Sequence, residues 1–383
     1  LNEDSLDGLP PASRAALDAA DIVFGGPRHL ELAMVGPRGR AWPIPFSTGP
    51  VLACRGQRVA VLASGDPFWH GAGGSLVRDL TSSEWRAFPA PSTFTLAASA
   101  LGWRMEDITC HGLHAAPLSR LRRALTPHGR LICLMRDADA PSELAAWLCK
   151  ENAGGAQMTV MERLGGPRER LRQVQADGFD LKDIQAPVAV AVALPAGVGL
   201  SRVSGLPDES FTHDGQITKR PVRALTLSAL APRADEVLWD IGAGSGSISV
   251  EWCLAGGKSV AFEQHEGRVV NITQNIDDFG LSHRLQVVEG VAVDQIIDRP
   301  LPDAVFIGGG ARQPLLDALY KILPVGTRLV INGVTLETEV LLANAHADKG
   351  GTLMRFDIAQ ATPLGPMRGW TAARPIVQWS VTL

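Results

Sequence analysis

The chain has 383 residues, 45% of them hydrophobic and 20% charged, and a formal net charge of −4. This length holds two domains of ordinary size, and the composition is that of a soluble globular protein, expected in the cytoplasm. The negative charge argues against nucleic acid as the main partner, no apolar run is long enough to span a membrane, and five cysteines without a C-x-x-C pair read as reduced thiols and no metal site.

From the N-terminus, Pro11 to Ala20 reads as a short helix with an early proline. Ile22 to Phe24 is a brief strand, and Arg58 to Ala63 a buried one that runs into the turn Ser64-Gly65-Asp66-Pro67. A helix to about Leu80, a strand Trp85 to Phe88 and a helix Thr93 to Leu101 follow. Leu118 to Leu125 reads as a basic helix, Leu131 to Met135 as a strand, Pro141 to Lys150 as a helix, and Met158 to Glu162 and Val188 to Leu194 as strands. This alternation implies an α/β layer architecture. Gly65 and Asp66 lie at the carboxyl end of a strand, where open α/β sheets bind ligands, so their backbone groups are candidates for cradling a cofactor; an ordinary strand-exit turn fits them equally. His70, His111 and His114 have no metal-ligand companions in the pattern.

Pro195 to Gly199 and Ser204 to Pro207 interrupt the periodicity, which places a domain over residues 1–200 and a second over 205–383. In the second, Val222 to Leu230 is an amphipathic helix. Strands are expected at Val237 to Ile241, Ser259 to Glu263, Leu285 to Glu289, Ala304 to Ile307 and Arg328 to Asn332. Helices are expected at Glu266 to Asp277, Pro314 to Ile322 and Leu336 to His346. Met354 to Ile358 and Ile376 to Leu383 read as a closing antiparallel pair around a long loop, 362–374, completing a mostly parallel seven-stranded sheet.

The stretch Asp240-Ile241-Gly242-Ala243-Gly244-Ser245-Gly246 has the pattern D-x-G-x-G-x-G between a strand and a helix. A dinucleotide fingerprint needs glycine at 247, where the chain has Ser247. Glycines at alternate positions let the backbone pass close under a ligand, and the helix start behind them favours an anionic group. Asp240 is placed to accept hydrogen bonds from a ligand amine. About 20 residues on, Glu263 ends the next strand, where an acid binds ribose hydroxyls. An amino acid at the turn and a ribose at Glu263 together describe S-adenosylmethionine (SAM). Strand four ends in Ile307-Gly308-Gly309-Gly310, which offers space and backbone N–H groups and no evident base. That suits an electron-rich carbon nucleophile, for which orientation does most of the work; a tight turn alone explains the glycines as well.

These residues carry a resemblance. Asp214 to Arg220, Leu238 to Gly246 and Asp303 to Gly310 resemble the C-terminal methyltransferase domain of the precorrin-6Y C5,15-methyltransferase (decarboxylating) family. Ser64 to Pro67, Pro91 to Phe94 and Glu162 to Pro167 resemble the tetrapyrrole methylase domain fused ahead of it. The resemblance implies a two-lobed tetrapyrrole methylase domain followed by a Rossmann-like SAM methyltransferase domain. It implies an enzyme of aerobic cobalamin biosynthesis that spends two SAM molecules on C-5 and C-15 of a precorrin and decarboxylates the C-12 acetate. The C-5 step falls to the first domain, the other two to the second.

Two departures stand out. The family's first strand and G-x-G turn precede the point where Leu1-Asn2-Glu3-Asp4 begins, so either the sequence lacks its first residues or weaker SAM binding is expected in the first domain. Val291 replaces an acid after strand three, leaving backbone contacts from Gly290, Val291, Ala292 and Gly308 to hold the adenosyl end. Lys219, Arg220, Arg368 and Arg374 are candidates for gripping substrate carboxylates. Asp214, Thr218 and above all Glu337 are candidates for proton handling during decarboxylation. A homo-oligomer is expected. Two other readings stay open at this point: a SAM methyltransferase of RNA or another small molecule, and a tetrapyrrole-binding protein with an inactive first domain.

Overall fold

The computed structural model describes residues 1–297 and 299–383 and divides into two units, Leu1–Gly199 and Leu200–Leu383. In the first, β1 (Ile22–Gly25), β2 (Gly39–Ala41) and β3 (Val59–Val61) form a parallel sheet ordered β2-β1-β3. A second sheet contains β4 (Ile108–Gly112), β5 (Arg130–Leu134), β6 (Gln157–Glu162), β7 (Arg170–Gln175) and β8 (Val188–Ala193) in the order β4-β5-β8-β6-β7. The sequence of β8 explains its central place. Val188, Val190 and Val192 pack on one side with Leu144 and Leu148 of the helix Ala140–Lys150. Ala189 and Ala191 pack on the other with Phe94, Ala97 and Ala98 of the helix Thr93–Leu101. Period-two alternation of a large and a small apolar residue thus serves two layers at once.

Two expectations for this unit are corrected. Trp85 to Phe88 is not a strand: among the described residues no strand pairs with it, and Trp85 packs against Phe68 with ring centroids 5.5 Å apart. Leu118 to Ala124 is a 3₁₀ segment, held between Pro117 and Pro127 and too short to propagate an α-helix. β2, β4 and β7 carried no clear strand signal; β7 is an edge strand whose Gln residues are exposed and whose Arg170 and Arg172 pair with buried Glu162 of β6.

The second unit contains β9 (Val237–Ile241), β10 (Lys258–Glu263), β11 (Leu285–Glu289), β12 (Ala304–Ile307), β13 (Arg328–Gly333), β14 (Thr352–Phe356), β15 (Ala359–Leu364), β16 (Met367–Ala372) and β17 (Ile376–Thr382). Its seven-stranded sheet has the order β11-β10-β9-β12-β13-β17-β14, with β17 alone antiparallel to both its neighbours, as the sequence implies. β9 lies between β10 and β12, so the chain leaves it toward one side and returns on the other. Its carboxyl end is therefore the topological switch point of the sheet.

The long loop expected over 362–374 is instead a two-stranded hairpin, β15 with β16. Pro363, Gly365, Pro366 and Gly369 hid its alternation, and the Thr362 and Thr371 hydroxyls bond across it at 2.6 Å. Because Val377 pairs with Gly333 and Ile376 with Phe356, the hairpin springs from the carboxyl edge of the sheet, the edge that carries the glycine turn. No helix among the described residues is long and apolar enough to cross a membrane.

Candidate active site

The turn after β9 is built from left-handed backbone. Gly242, Gly244 and Gly246 have φ of 67°, 61° and 72°. A Cβ at Gly242 would meet the Gly309 carbonyl oxygen at 2.6 Å, and one at Gly246 would meet the Ile272 side chain at 3.1 Å. Glycine is thus required both for conformation and for the close passage of the β9 and β12 loops. The Gly242 and Ala243 N–H groups donate to the Phe262 carbonyl, tying the turn to β10.

Glu263, at the end of β10, is buried. It accepts from the Gly244 N–H at 2.9 Å and from the His265 N–H at 3.0 Å. The structure thus brings the acid and the glycine turn into direct contact. Asp240 is fully buried: one oxygen accepts from the Ser249 hydroxyl (2.7 Å) and N–H (3.2 Å), and the other has no partner among the described residues. Burial pushes its carboxyl up to about 6, against the pull of the Ser249 hydrogen bonds and with a small push from Glu263. Asp240 therefore braces the helix Ser247–Leu254 from within rather than presenting a carboxylate at the surface of the turn.

A strap, residues 205–218, lies over the turn, and a Cβ at Gly244 would meet the Gln216 carbonyl oxygen at 3.2 Å. Two features absent from the sequence reading hold it. Buried Asn275 bonds both backbone groups of Thr212, at 2.8 and 3.0 Å, and donates to the Ser245 carbonyl at 2.9 Å, joining strap to turn. Buried Arg223 donates to Glu251 at 2.6 Å and to the Thr218 and Leu206 carbonyls, while Glu251 accepts from the Gly205 and Leu206 N–H groups. An arginine inside an amphipathic helix and a glutamate after a glycine turn are ordinary in sequence. Only their burial in the fold shows them as a clasp.

The remaining candidates fall around this centre. Asp214 accepts from the Gln216 N–H and pairs with Arg268 at 3.0 Å, which together hold its carboxyl below the usual range. Thr218 offers its carbonyl to Arg223. Glu337 is exposed in the first turn of the helix Leu336–Lys349, where Thr338 rather than an acid completes the Thr335 cap. Gly290 (φ 131°) donates to the Glu263 carbonyl, Val291 is half exposed, and Ala292 opens a short helix beside them. A Cβ at Gly308 would meet the Gly242 carbonyl oxygen at 3.3 Å. Lys219 pairs with Asp208 at 3.6 Å, whereas Arg220, Arg368 and Arg374 make no ion pair among the described residues. Arg368 lies on the hairpin, and Arg374 follows it.

In the first unit, a cavity of about 340 Å³ is lined by Ser64 of the predicted loop, and also by Glu3, Arg28, His29, Trp69 and Phe94. Gly65 (φ 56°) packs against Pro91 and Ser92, and its carbonyl accepts from the Ala90 N–H; Asp66 accepts from the Phe68 N–H at 2.8 Å. These two residues shape the turn, and Ser64 is the member that reaches the cavity.

Residues 4–179 match the family of tetrapyrrole (corrin/porphyrin) methylases, and residues 209–383 the family described as precorrin methyltransferase domain. With the switch-point turn, these matches define the class: a tetrapyrrole methylase unit followed by a Rossmann-like methyltransferase unit. The chain is 44% identical to a precorrin-6Y C(5,15)-methyltransferase [decarboxylating] of Sinorhizobium sp., over 100% of this chain and 95% of that one. It is 40% identical to the Mycobacterium tuberculosis (strain CDC 1551 / Oshkosh) protein of the same name, over 100% and 98%. A crystal structure of the C-terminal domain of precorrin-6Y C5,15-methyltransferase from Rhodobacter capsulatus is 59% identical, covering 48% of this chain and 100% of that one with a TM-score of 0.48. The chain belongs to the precorrin-6Y C(5,15)-methyltransferase (decarboxylating) family.

Proposed function

We propose that the chain methylates C-5 and C-15 of precorrin-6Y with two molecules of SAM and removes carbon dioxide from the C-12 acetate, a step of aerobic cobalamin biosynthesis. The observation that carries this reading is the glycine turn closed by Glu263, in a chain matched over its full length by relatives of that name. The turn fits the cofactor: three positive-φ glycines leave no side chain above the backbone, and a buried acid sits where ribose hydroxyls would meet it. When bound, SAM supplies an electrophilic methyl on a sulfonium sulfur.

The protein's own part is to bind and orient. Gly242, Gly244, Gly246 and Gly308 supply backbone groups, the Gly290-Val291-Ala292 backbone flanks the adenosyl end, and Glu263 holds the ribose. Asp240 acts through Ser249, fixing the helix start against which the amino-acid end rests. The glycine run after β12 leaves room for an electron-rich carbon, which needs orientation more than a base. For decarboxylation, the electron pair of the breaking C–C bond passes into the conjugated nitrogens of the macrocycle, and the methylene carbon then takes a proton. Of the three proton candidates, Asp214 is paired with Arg268, while the Thr218 hydroxyl and the exposed Glu337 carboxyl remain open for that transfer. Arg220, Arg368 and Arg374 are free to grip acetates and propionates at the same edge of the sheet. Incubation with methyl-labelled SAM and precorrin-6Y tests the reading: label must enter the tetrapyrrole, and label that stays on SAM rejects it.

A further inference from the structure

The cavity of the first unit contains a polar cluster that the methyl-transfer reading does not use. β1 and β3 are parallel neighbours, so the residues that follow them meet at one edge. Arg28 and His29 follow β1, and Ser64 follows β3. Arg28 Nη2 lies 3.0 Å from Ser64 Oγ and 3.0 Å from His29 Nε2, and Ser64 Oγ lies 2.9 Å from His29 Nε2. A guanidinium has only donors, so His29 Nε2 must present its lone pair and the ring hydrogen must sit on Nδ1. Burial, then the Arg28 charge, push the imidazole down to about 4, so it stays neutral beside the guanidinium. The second terminal nitrogen of Arg28 pairs with Glu3, whose side chain is only 8% exposed. Elsewhere the lining mixes the apolar Trp42, Trp69 and Phe94 with the polar Asn2, His70 and His114.

A mixed chamber with one guanidinium, held by a neutral histidine and a serine and flanked by aromatic rings, suits a flat ligand that carries a carboxylate. We propose that Arg28 binds a ligand carboxylate in this cavity, that Glu3 occupies its place until the ligand arrives, and that His29 is a positioning residue for Arg28. The carboxylate belongs either to an acetate or propionate of the tetrapyrrole or to the amino-acid end of SAM, and the inference rests on the proposed function for that choice. Exchange of one carboxylate for another keeps the half-buried guanidinium paired throughout.

The test is made on the full chain. Arg28→Ala should raise one constant about tenfold or more: the KM for precorrin-6Y in the C-5 methylation, or the Kd of the N-terminal site for S-adenosylhomocysteine by calorimetry. Which constant moves names the source. Glu3→Gln keeps the guanidinium and removes its competitor, so it should lower the same constant. His29→Leu should follow Arg28→Ala, and His29→Gln, which retains an acceptor, should recover most of the loss. C-15 methylation and decarboxylation, read in the same products, should persist in every variant. If Glu3→Gln and Arg28→Ala shift the constant in the same direction, or neither moves it, the site is structural and the proposal is overturned. A wild type that makes no tetrapyrrole product would count against the proposed function instead, and the calorimetric arm would still decide this one.

Discussion

The carboxylate of Glu263 accepts the backbone N–H of Gly244 at 2.9 Å, so the acid that ends β10 is fastened to the middle of the turn that ends β9. One side chain thereby shapes the turn and is the one proposed to meet the ribose. Glu263→Ala should lose a charge-assisted hydrogen bond worth roughly 1.5–3 kcal/mol and weaken SAM binding about tenfold or more. Calorimetry with SAM on the full chain checks it; an unchanged affinity would remove Glu263 from the site.

Asp240 gives a pH prediction. Its carboxyl is raised from 3.8 to about 6 by burial, so the folded protein holds this proton more tightly than the unfolded chain does. The contribution to stability is complete below about pH 4 and is lost as pH rises through 6, with an ionisation penalty on the order of 3 kcal/mol beyond that. Asp240→Asn can still accept from Ser249 and carries no charge. It should be at least as stable as the wild type at pH 7.5, with the wild type gaining on it as pH falls toward 5. Chemical denaturation across this range decides, and a variant less stable than the wild type at pH 7.5 would contradict the assignment.

Arg223 and Glu251 form a buried pair at 2.6 Å, with side chains 0% and 5% exposed. Arg223→Leu alone leaves an uncompensated carboxylate and should cost about 3–5 kcal/mol. Arg223→Leu with Glu251→Leu should cost less than the single change, although the Gly205 and Leu206 N–H groups then lose their acceptor. Urea titration of single and double variants gives the coupling; strictly additive losses would show that the two charges do not depend on each other.

For the substrate cations, Arg220→Ala, Arg368→Ala and Arg374→Ala should each raise the KM for precorrin-6Y and leave SAM affinity unchanged. Lys219→Ala should do less, because Asp208 already occupies its ammonium. Steady-state kinetics with SAM saturating makes the comparison, and a KM that stays flat in all three arginine variants would place the substrate elsewhere.

The second unit was readable because its strands are apolar runs closed by glycines, and because Asp240, the three glycines and Glu263 fall at spacings that the fold converts into contact. The Asn275 bridge and the Arg223–Glu251 clasp were not, since a polar residue in a helix shows its partner only when chain segments far apart are brought together. The β15–β16 hairpin was hidden by its prolines and glycines, which read as loop although they fit an exposed ribbon. In the first unit, the turn of Gly65 and Asp66 meets the cavity through their neighbour Ser64, joined there by Arg28 and His29 from a different strand end, a meeting that only the parallel pairing of β1 and β3 produces.

The central claim is that one chain carries out two methyl transfers and one decarboxylation. Mass spectrometry of the tetrapyrrole formed by the full chain from precorrin-6Y and excess SAM tests it directly. The expected product has gained two methyl groups and lost one carbon dioxide. A product that keeps its full set of carboxyl groups, or that gains no methyl at all, would contradict it.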